Sequence, residues 1–147
     1  MIKKLSFILF LCSIFMQVPA FAQHADDVLG RWMNSTNEGT IQVYKKGNQF
    51  FGKLIWIKNP DDPATGKPQL DKLNPDKKLQ TQPVLGLEIL KGFTFDGDDT
   101  YEGGTVYDPK SGKTYSCKMT INGNKLKMRG YIGVSLLGRT EIWTRVK

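Results

Sequence analysis

Histidine and cysteine are scarce in this sequence, whose 147 residues include one histidine and two cysteines. His24 lies close to the amino terminus, where chains are normally loose. A Ser-His-Asp triad, a histidine-liganded zinc site and histidine acid–base catalysis all need an imidazole held in a folded pocket. We therefore predict a protein that is not an enzyme and that uses neither a metal nor a cofactor.

Long apolar runs are also absent, except at the amino terminus. Lys3 and Lys4 precede an apolar run over residues 5–18, and an Ala-x-Ala pattern ends at Ala22. This order is typical of a secretory signal peptide, and the run is short for a membrane span, although an amino-terminal anchor is the alternative. We predict cleavage near Ala22, a periplasmic or secreted location, and a mature domain of residues 23–147.

Cleavage changes both the cysteine count and the charge. Cys12 leaves with the signal peptide, so Cys117 cannot form an internal disulfide and is expected to be a small buried hydrophobe. The remaining 125 residues carry 19 basic and 14 acidic side chains, which lowers the formal net charge from +7 to +5. No nucleic-acid-binding motif accompanies this charge, and export makes a nucleic-acid partner unexpected.

Helical periodicity is missing from the mature chain, which instead has short alternating runs separated by turn residues. This pattern predicts an all-β protein of eight antiparallel strands. A single closed eight-stranded barrel is favoured, because closure removes exposed strand edges, and a β-sandwich is the alternative. The predicted strands are residues 29–33, 40–44, 50–57, 87–93, 101–107, 113–121, 125–133 and 140–146.

Asn122-Gly123 is the strongest hairpin signal, because a type I′ turn needs positive φ at both central residues. This turn pairs Met119 with Leu126, whereas a turn at Gly123-Asn124 shifts the pairing but preserves the faces. The apolar face of the hairpin comprises Tyr115, Cys117, Met119, Leu126, Met128 and Ile132. The opposite face comprises Thr114, Ser116, Lys118, Lys125, Lys127, Arg129 and Tyr131.

Residues 58–85 interrupt the hairpin pattern with five prolines in 28 positions. A connection of this length inside a compact domain is usually functional or disordered, and the prolines favour a stiff path. It could form a lid over one barrel mouth or a contact surface for another protein. A surface excursion that merely covers core residues is an equal alternative.

Carboxylates are the remaining candidates for catalysis. Asp71 with Asp76, or Glu88 with Glu141, could form an acid–base pair, but the sequence does not determine their separation. A carboxylate-dependent hydrolase is therefore an alternative function.

Positive charge is concentrated in the last quarter of the chain. Residues 110–147 contain nine basic side chains and one acid, Glu141. The predicted hairpin places Lys118 opposite or diagonal to Lys127 or Arg129, and like charges across a strand pair are destabilising. This arrangement suggests an anion site near a membrane surface, with a solvated basic face as the plainer alternative.

Two short segments resemble those of lipocalin-like (calycin) barrels. Gly30-Arg31-Trp32 stands near the mature start, and Trp143-Thr144-Arg145 stands near the end. In that family the tryptophan closes one barrel end and an arginine packs over it. The resemblance therefore implies a structural stack of Arg145 on Trp32.

A larger set of motifs resembles the bacterial exported family known as domain of unknown function twenty-one forty-seven. The resemblance spans nearly the whole mature chain and implies a periplasmic or secreted calycin barrel without an established activity. Gln80 and Gln82 stand where we expect arginines before Pro83, which puts anion contacts from this connection in doubt. The motifs are Asp71-x-x-Asn74-Pro75-Asp76, Leu85-Gly86-Leu87, Tyr107-Asp108-Pro109, Gly112-Lys113-Thr114-Tyr115, Arg129-Gly130-Tyr131-Ile132-Gly133 and Leu137-Gly138-Arg139-Thr140.

Together these observations predict a monomeric exported barrel that binds a small amphipathic or anionic envelope molecule. The apolar interior would take the tail, and Arg129 and Arg139 would meet the polar end. An open cavity would favour this function, whereas a filled interior with an exposed apolar patch would favour a protein adaptor that uses residues 58–85. The predicted lining residues, each of which could be plain core, are Phe51, Trp56, Tyr115, Met128 and Trp143.

Overall fold

A computed structural model describes residues 24–134 and 137–147. Eight strands form a closed antiparallel barrel in chain order, and the first strand pairs with the last. The predicted barrel is confirmed, and the sandwich alternative is wrong. The predicted signal peptide lies outside the described residues. Within them, no helix has the length and apolar character needed to cross a membrane.

The strand boundaries agree with the predictions to within two residues at each end. Short 3₁₀ turns at Asp26–Val28 and Lys77–Leu79 are the helical segments assigned beside the barrel. The strands are β1 Gly30–Met33, β2 Gly39–Lys46, β3 Gln49–Ile57, β4 Glu88–Phe95, β5 Thr100–Asp108, β6 Lys113–Asn122, β7 Lys125–Tyr131 and β8 Arg139–Val146.

The β6–β7 hairpin uses the second of the two turns considered. Met119 pairs with Met128, so Gly123-Asn124 forms the turn and the register predicted from Asn122-Gly123 is wrong. Gly123 supplies the positive φ of 58° at the first central position, as in a type II′ turn. The alternating faces are preserved, except that β7 ends at Tyr131 and Ile132 lies exposed in the following loop.

Alternate residues of the strands fill the barrel interior. Trp32, Phe50, Phe93 and Tyr101 are all less than 2% exposed, and the Phe50 and Tyr101 rings meet edge to face with centroids 5.1 Å apart. Packing around Phe93 is tight, because a Cβ built on Gly104 would lie 2.4 Å from its ring. The interior is therefore packed with side chains.

Cys117 belongs to this core, as predicted. It is 1% exposed, and burial raises the pKa of its thiol to about 12. A buried thiol of this kind carries almost no thiolate at neutral pH, so it behaves as a hydrophobe and not as a nucleophile.

The antiparallel order divides the connections between two barrel ends. Residues 24–29 cover one end, which we call the closed end, where β1 begins and β8 finishes. The other end, which we call the excursion end, carries residues 34–38, 58–87, 109–112, 132–134 and 137–138. The long proline-rich connection therefore covers the end of the barrel opposite its amino-terminal segment.

Candidate functional site

The closed end is built around the predicted contact between Trp32 and Arg145. The Arg145 guanidinium carbon lies 4.2 Å from the Trp32 ring centroid, which confirms the stack. Arg145 also donates to the carbonyl oxygens of Leu29, at 2.9 Å, and Asp27, at 2.5 Å. Trp32 Nε1 donates to the Val28 carbonyl at 2.8 Å. These contacts attach the amino-terminal segment to the barrel and leave Arg145 a structural residue.

The five predicted lining residues do not lie together. Met128 and Trp143 are buried inside the barrel, and Tyr115 is half-buried. Trp56 is 45% exposed, and Phe51 stacks with Tyr44 at a centroid distance of 6.1 Å.

Phe51 and Trp56 correct the expectation that they line the interior. Phe50, Gly52 and Leu54 are the buried positions of β3, and strict alternation directs Phe51 to the opposite face. The Phe51 ring contacts the Lys46 ammonium on the barrel exterior, with 4.1 Å between Nζ and the ring centroid. Alternation along the strand predicts this for Phe51, because Phe50 and Phe51 cannot both point inward. Trp56 is instead in phase with the inward positions, but it lies beside a register shift in the β2–β3 pairing near the end of β3, where it is exposed.

Concave surface is found outside the barrel. An open groove of about 660 Å³ lies at the closed end beside Asp98, Asn124 and Arg145. A second, of about 560 Å³, lies between the β1–β2 turn and the start of β8, and its lining includes Ser35, Arg139 and Thr140. Arg139 thus lines a polar groove rather than meeting a ligand at the mouth of an interior cavity.

The excursion of residues 58–87 is an ordered cover. Asp71 N donates to Gln82 O and Val84 N donates to Gln69 O, each at 2.8 Å, so its two arms run beside one another. Gly112, in the β5–β6 turn, packs so closely beneath it that an added Cβ would lie 2.0 Å from the Leu73 carbonyl oxygen. The proline-rich connection therefore follows a defined path across the barrel end, as expected.

Asp71 fixes the excursion to the barrel. Its side chain accepts hydrogen bonds from Tyr107 Oη at 2.7 Å and from Asn74 Nδ2 at 2.8 Å, and the residue is 1% exposed. Desolvation, followed by the hydrogen bond to Asp71, raises the pKa of Tyr107. Both carboxylate oxygens have partners, so this buried acid holds structure together.

The other predicted carboxylates have separate partners. Asp76 is exposed and accepts from Lys78 N at 2.9 Å at the start of a 3₁₀ turn. Glu88 accepts from Tyr44 and Lys46 on the outer surface, while Glu141 accepts from Trp143 Nε1 at 3.3 Å. Each acid is thus engaged in a local contact of its own.

The basic face of the β6–β7 hairpin is partly neutralised. Lys118 lies directly opposite Arg129, which is the pairing that follows from a turn at Gly123-Asn124. Glu102 on β5 forms an ion pair with Lys118 at 3.0 Å, and this hydrogen bond raises the pKa of the lysine. The neighbouring acid reduces the like-charge repulsion, which supports the solvated-face alternative for Lys118.

The described residues of the β7–β8 loop, 132–134 and 137–138, form a feature that sequence reasoning missed. Ile132, Val134 and Leu137 are 70%, 58% and 80% exposed. Arg129 and Arg139 flank the loop, and Arg129 Nη1 donates to Thr140 Oγ1 at 2.8 Å. Three exposed apolar side chains within six positions, between two cations, form an amphipathic surface on the excursion end.

Comparison with known proteins agrees with this architecture. A search of curated proteins finds no match. A solved protein of the human pathogen Helicobacter pylori, described as belonging to the lipocalin family, superposes with a TM-score of 0.69 and 25% sequence identity over 81% of this chain and 82% of that chain. The model of the family described as "Uncharacterized protein conserved in bacteria (DUF2147)" matches residues 30–145. The chain therefore belongs to the DUF2147 family and has a lipocalin-like barrel.

Proposed function

We propose that this protein is an exported, non-enzymatic barrel that binds an amphipathic, anionic envelope molecule on its outer surface. The proposal rests on one observation, the exposed apolar residues of the β7–β8 loop beside Arg129 and Arg139. The filled interior argues against the simpler arrangement in which the barrel cavity takes the apolar tail.

Charge distinguishes an anionic amphiphile from a general apolar partner. Ile132 and Leu137 can cover an alkyl chain, and the Arg139 guanidinium can donate paired hydrogen bonds to a phosphate or carboxylate. Arg139 also borders the polar groove with Ser35 and Thr140, where further hydroxyl donors are available to a headgroup. The polar headgroup and the apolar tail of such a ligand would thus bind at adjacent positions on one surface.

The test is amide chemical-shift mapping with dihexanoyl phosphatidylglycerol kept below its micelle concentration, and dihexanoyl phosphatidylcholine as the neutral control. We expect saturable shifts around Ile132, Leu137 and Arg139 with the anionic lipid, and weaker shifts with the neutral lipid. Shifts confined to core positions such as Phe93, or no saturable shifts, would contradict an outer-surface site. Native mass spectrometry of protein taken from its own envelope should detect a carried anionic lipid.

An adaptor that contacts another envelope protein through the excursion is the second candidate. Exposed Leu70, Leu73 and Leu85 on this rigid connection favour it, since partly exposed apolar side chains on a fixed scaffold suit protein contacts. Replacing Leu73 and Leu85 by serine should abolish cross-linking to a partner in intact cells while leaving the lipid shifts unchanged. Unaltered cross-linking, or cross-linking that depends on Leu137 instead, would exclude the excursion as the contact.

A further inference from the structure

The seam between β1 and β8 is paired along only part of its length. β1 pairs with β8 at three positions, of which the last is Met33 opposite Thr144. β7 pairs with the whole stretch of β8 from Arg139 to Thr144. After Met33 the chain turns back into β2, so residues 139–143 have a strand neighbour on one side only within the described part of the chain. We call this stretch the open edge of β8.

Alternation identifies the backbone groups that face outward from the open edge. Arg145 N donates to the carbonyl oxygen of Asn124, the residue before β7, at 2.9 Å, so the backbone of Arg145 faces β7. Successive residues of an antiparallel strand direct their backbone groups to opposite sides, so Thr144 faces β1 and bonds there. Thr140 and Ile142 face the same side beyond the end of β1, and no described residue supplies a partner for these backbone groups.

The open edge forms one wall of the polar groove of about 560 Å³, and the β1–β2 turn, residues 34–38, forms the other. The turn is held in shape, because Asn34 Oδ1 accepts a hydrogen bond from Glu38 N at 2.9 Å. Ser35 and Thr36 are exposed on the turn and line the groove with hydroxyl groups. A single extended strand in the groove would therefore find backbone partners on β8 and hydroxyl partners on the turn.

We propose that the open edge of β8 binds an extended segment of another protein by strand addition. The segment continues the line of β1, antiparallel to β8, and exchanges backbone hydrogen bonds with Thr140 and Ile142. Alternating N–H and C=O groups along a strand edge are the groups that an added strand satisfies. This inference goes beyond the proposed function, because backbone groups carry it and a lipid headgroup does not need them.

The side chains along the open edge indicate which segment fits, since directly opposite residues of an antiparallel pair share a face. Ile142 is 45% exposed on the outer face, which favours a β-branched aliphatic residue opposite it. Arg139 is exposed and has no ion-pair partner among the described residues, which favours an acidic residue opposite it. Glu141 already accepts a hydrogen bond from Trp143 Nε1 at 3.3 Å, which favours an uncharged residue opposite it. The fitting partner is thus an extended β-branched segment with one acidic residue.

Other occupants fit the groove less well. In a second folded copy of the chain, the open edge lies beside the same β1–β2 turn, so the two turns would hold the two edges apart. A glycan or a lipid headgroup could contact Ser35 and Arg139, but it would not pair the alternating backbone groups of Thr140 and Ile142. A free extended segment meets both requirements.

The experiment is amide hydrogen exchange on residues 23–147, which contain all eight strands and the buried core. The probe is the end-blocked peptide threonine-valine-threonine-valine-glutamate-threonine. In the free protein, the amides of Thr140 and Ile142 should exchange about tenfold or more faster than those of Glu141 and Trp143, which bond to β7. Saturating peptide should slow exchange at Thr140 and Ile142 and leave Glu141 and Trp143 unchanged.

Matched probes separate backbone recognition from side-chain recognition. The same peptide methylated on the nitrogen of both valines keeps every side chain but cannot donate to β8, so it should bind about tenfold more weakly or worse. Arg139→Gln should weaken binding of the unmethylated peptide by about threefold to fivefold, whereas Lys91→Gln on β4 should not.

The variant Thr140→Pro tests the same bonds from the protein side. It removes an N–H that faces the groove and leaves the hydrogen bonds to β7 in place, as proline does on an edge strand. Binding of the peptide should weaken by about fivefold, with circular dichroism matching that of the parent protein. If this variant fails to fold, the comparison of the two peptides on the unaltered protein still decides the question.

Several results would overturn strand addition. Equal affinities of the two peptides, or protection that does not alternate along β8, would assign the groove to side-chain recognition of a glycan or a headgroup. Absence of saturable peptide binding, or slow exchange at Thr140 and Ile142 in the free monomer, would also overturn it. A dimer that protects these two amides without peptide would make a second copy the occupant. The lipid shifts around Ile132 and Leu137 test the proposed function separately.

Discussion

The closed end is attached mainly through the stack of Arg145 on Trp32 and hydrogen bonds to backbone carbonyls, with one ion pair between Lys45 and Asp26. At the excursion end, hydrogen bonds and an ion pair between side chains far apart in the chain are prominent. At the closed end, Arg145 joins Trp32 to the carbonyls of Asp27 and Leu29. At the excursion end, Tyr107 bonds to Asp71, while Lys110 of one turn reaches Glu38 of another at 2.5 Å.

The two ends therefore differ in role: the closed end contributes stability, and the excursion end is suited to binding. At the closed end the Trp32 ring is completely buried, and its Nε1 donates a hydrogen bond to the Val28 carbonyl of the amino-terminal segment. At the excursion end several apolar side chains are exposed to water. This exposure lowers the solubility of the protein and adds nothing to the packing of the core. We expect substitutions at the closed end to alter mainly the free energy of unfolding and substitutions on the β7–β8 loop to alter mainly binding.

The largest effect is expected from Trp32→Ala at the closed end. Removing a fully buried indole should lower the free energy of unfolding by about 3–5 kcal/mol, because a cavity remains and Arg145 loses its stacking partner. Urea denaturation followed by circular dichroism measures the change. Trp56→Ala removes the same side chain from the outer surface and should cost about 1 kcal/mol or less. Similar losses for both variants would contradict the special role of the closed end.

The next largest effect is expected at the excursion end from Tyr107→Phe. The substitution leaves the buried Asp71 carboxylate without one of its two hydrogen-bond donors, which should cost about 1–3 kcal/mol. Tyr115→Phe serves as a control on the neighbouring strand and should have little effect. If hydrogen exchange in residues 69–84 is unchanged in Tyr107→Phe, then Asp71 does not fix the excursion.

Alkaline pH should reduce the difference between the parent protein and Tyr107→Phe. The pKa of Tyr107 is raised above its usual value of 10.0, chiefly by desolvation, so unfolding favours its ionised form at high pH. The contribution of its neutral hydroxyl is complete below about pH 10 and is lost as the pH rises toward the folded-state pKa. Urea midpoints measured on both proteins between about pH 8 and about pH 11 should converge. A constant separation would argue against this linkage.

The sequence predicted the barrel well because each strand carries its own alternating pattern and each hairpin is local. The errors have physical causes in particular residues. Gly123 takes positive φ in both of the turns considered, so it does not decide whether Asn122 or Asn124 is the other central residue, and both choices preserve the faces. The prediction that Phe51 lines the interior is wrong because the preceding residue, Phe50, points inward and alternation directs Phe51 outward.

The attachment of the excursion was harder to predict because its residues meet across a long separation in the chain. Asp71 and Tyr107 are 36 positions apart, with part of the excursion and all of β4 between them, and no local pattern places the two together. The exposed loop was missed because Ile132 continues the alternation of Leu126 and Met128 past the true end of β7. Arg129 and Arg139 were identified from charge, but their relation to an apolar tip required the fold.

The smallest change in stability is expected from Ile132→Ser combined with Leu137→Ser. Both side chains are already largely in water, so the free energy of unfolding should change by about 0.5 kcal/mol or less. Leu126→Ala, inside the barrel on the strand that precedes the loop, should cost about 2–5 kcal/mol under the same urea titration. A substantial loss in the loop variant would mean that the loop packs against the barrel in solution and belongs with the stabilising surfaces. An unchanged unfolding free energy, together with loss of the saturable shifts caused by dihexanoyl phosphatidylglycerol, would assign these apolar residues to binding, because folding alone gives no reason to keep them exposed.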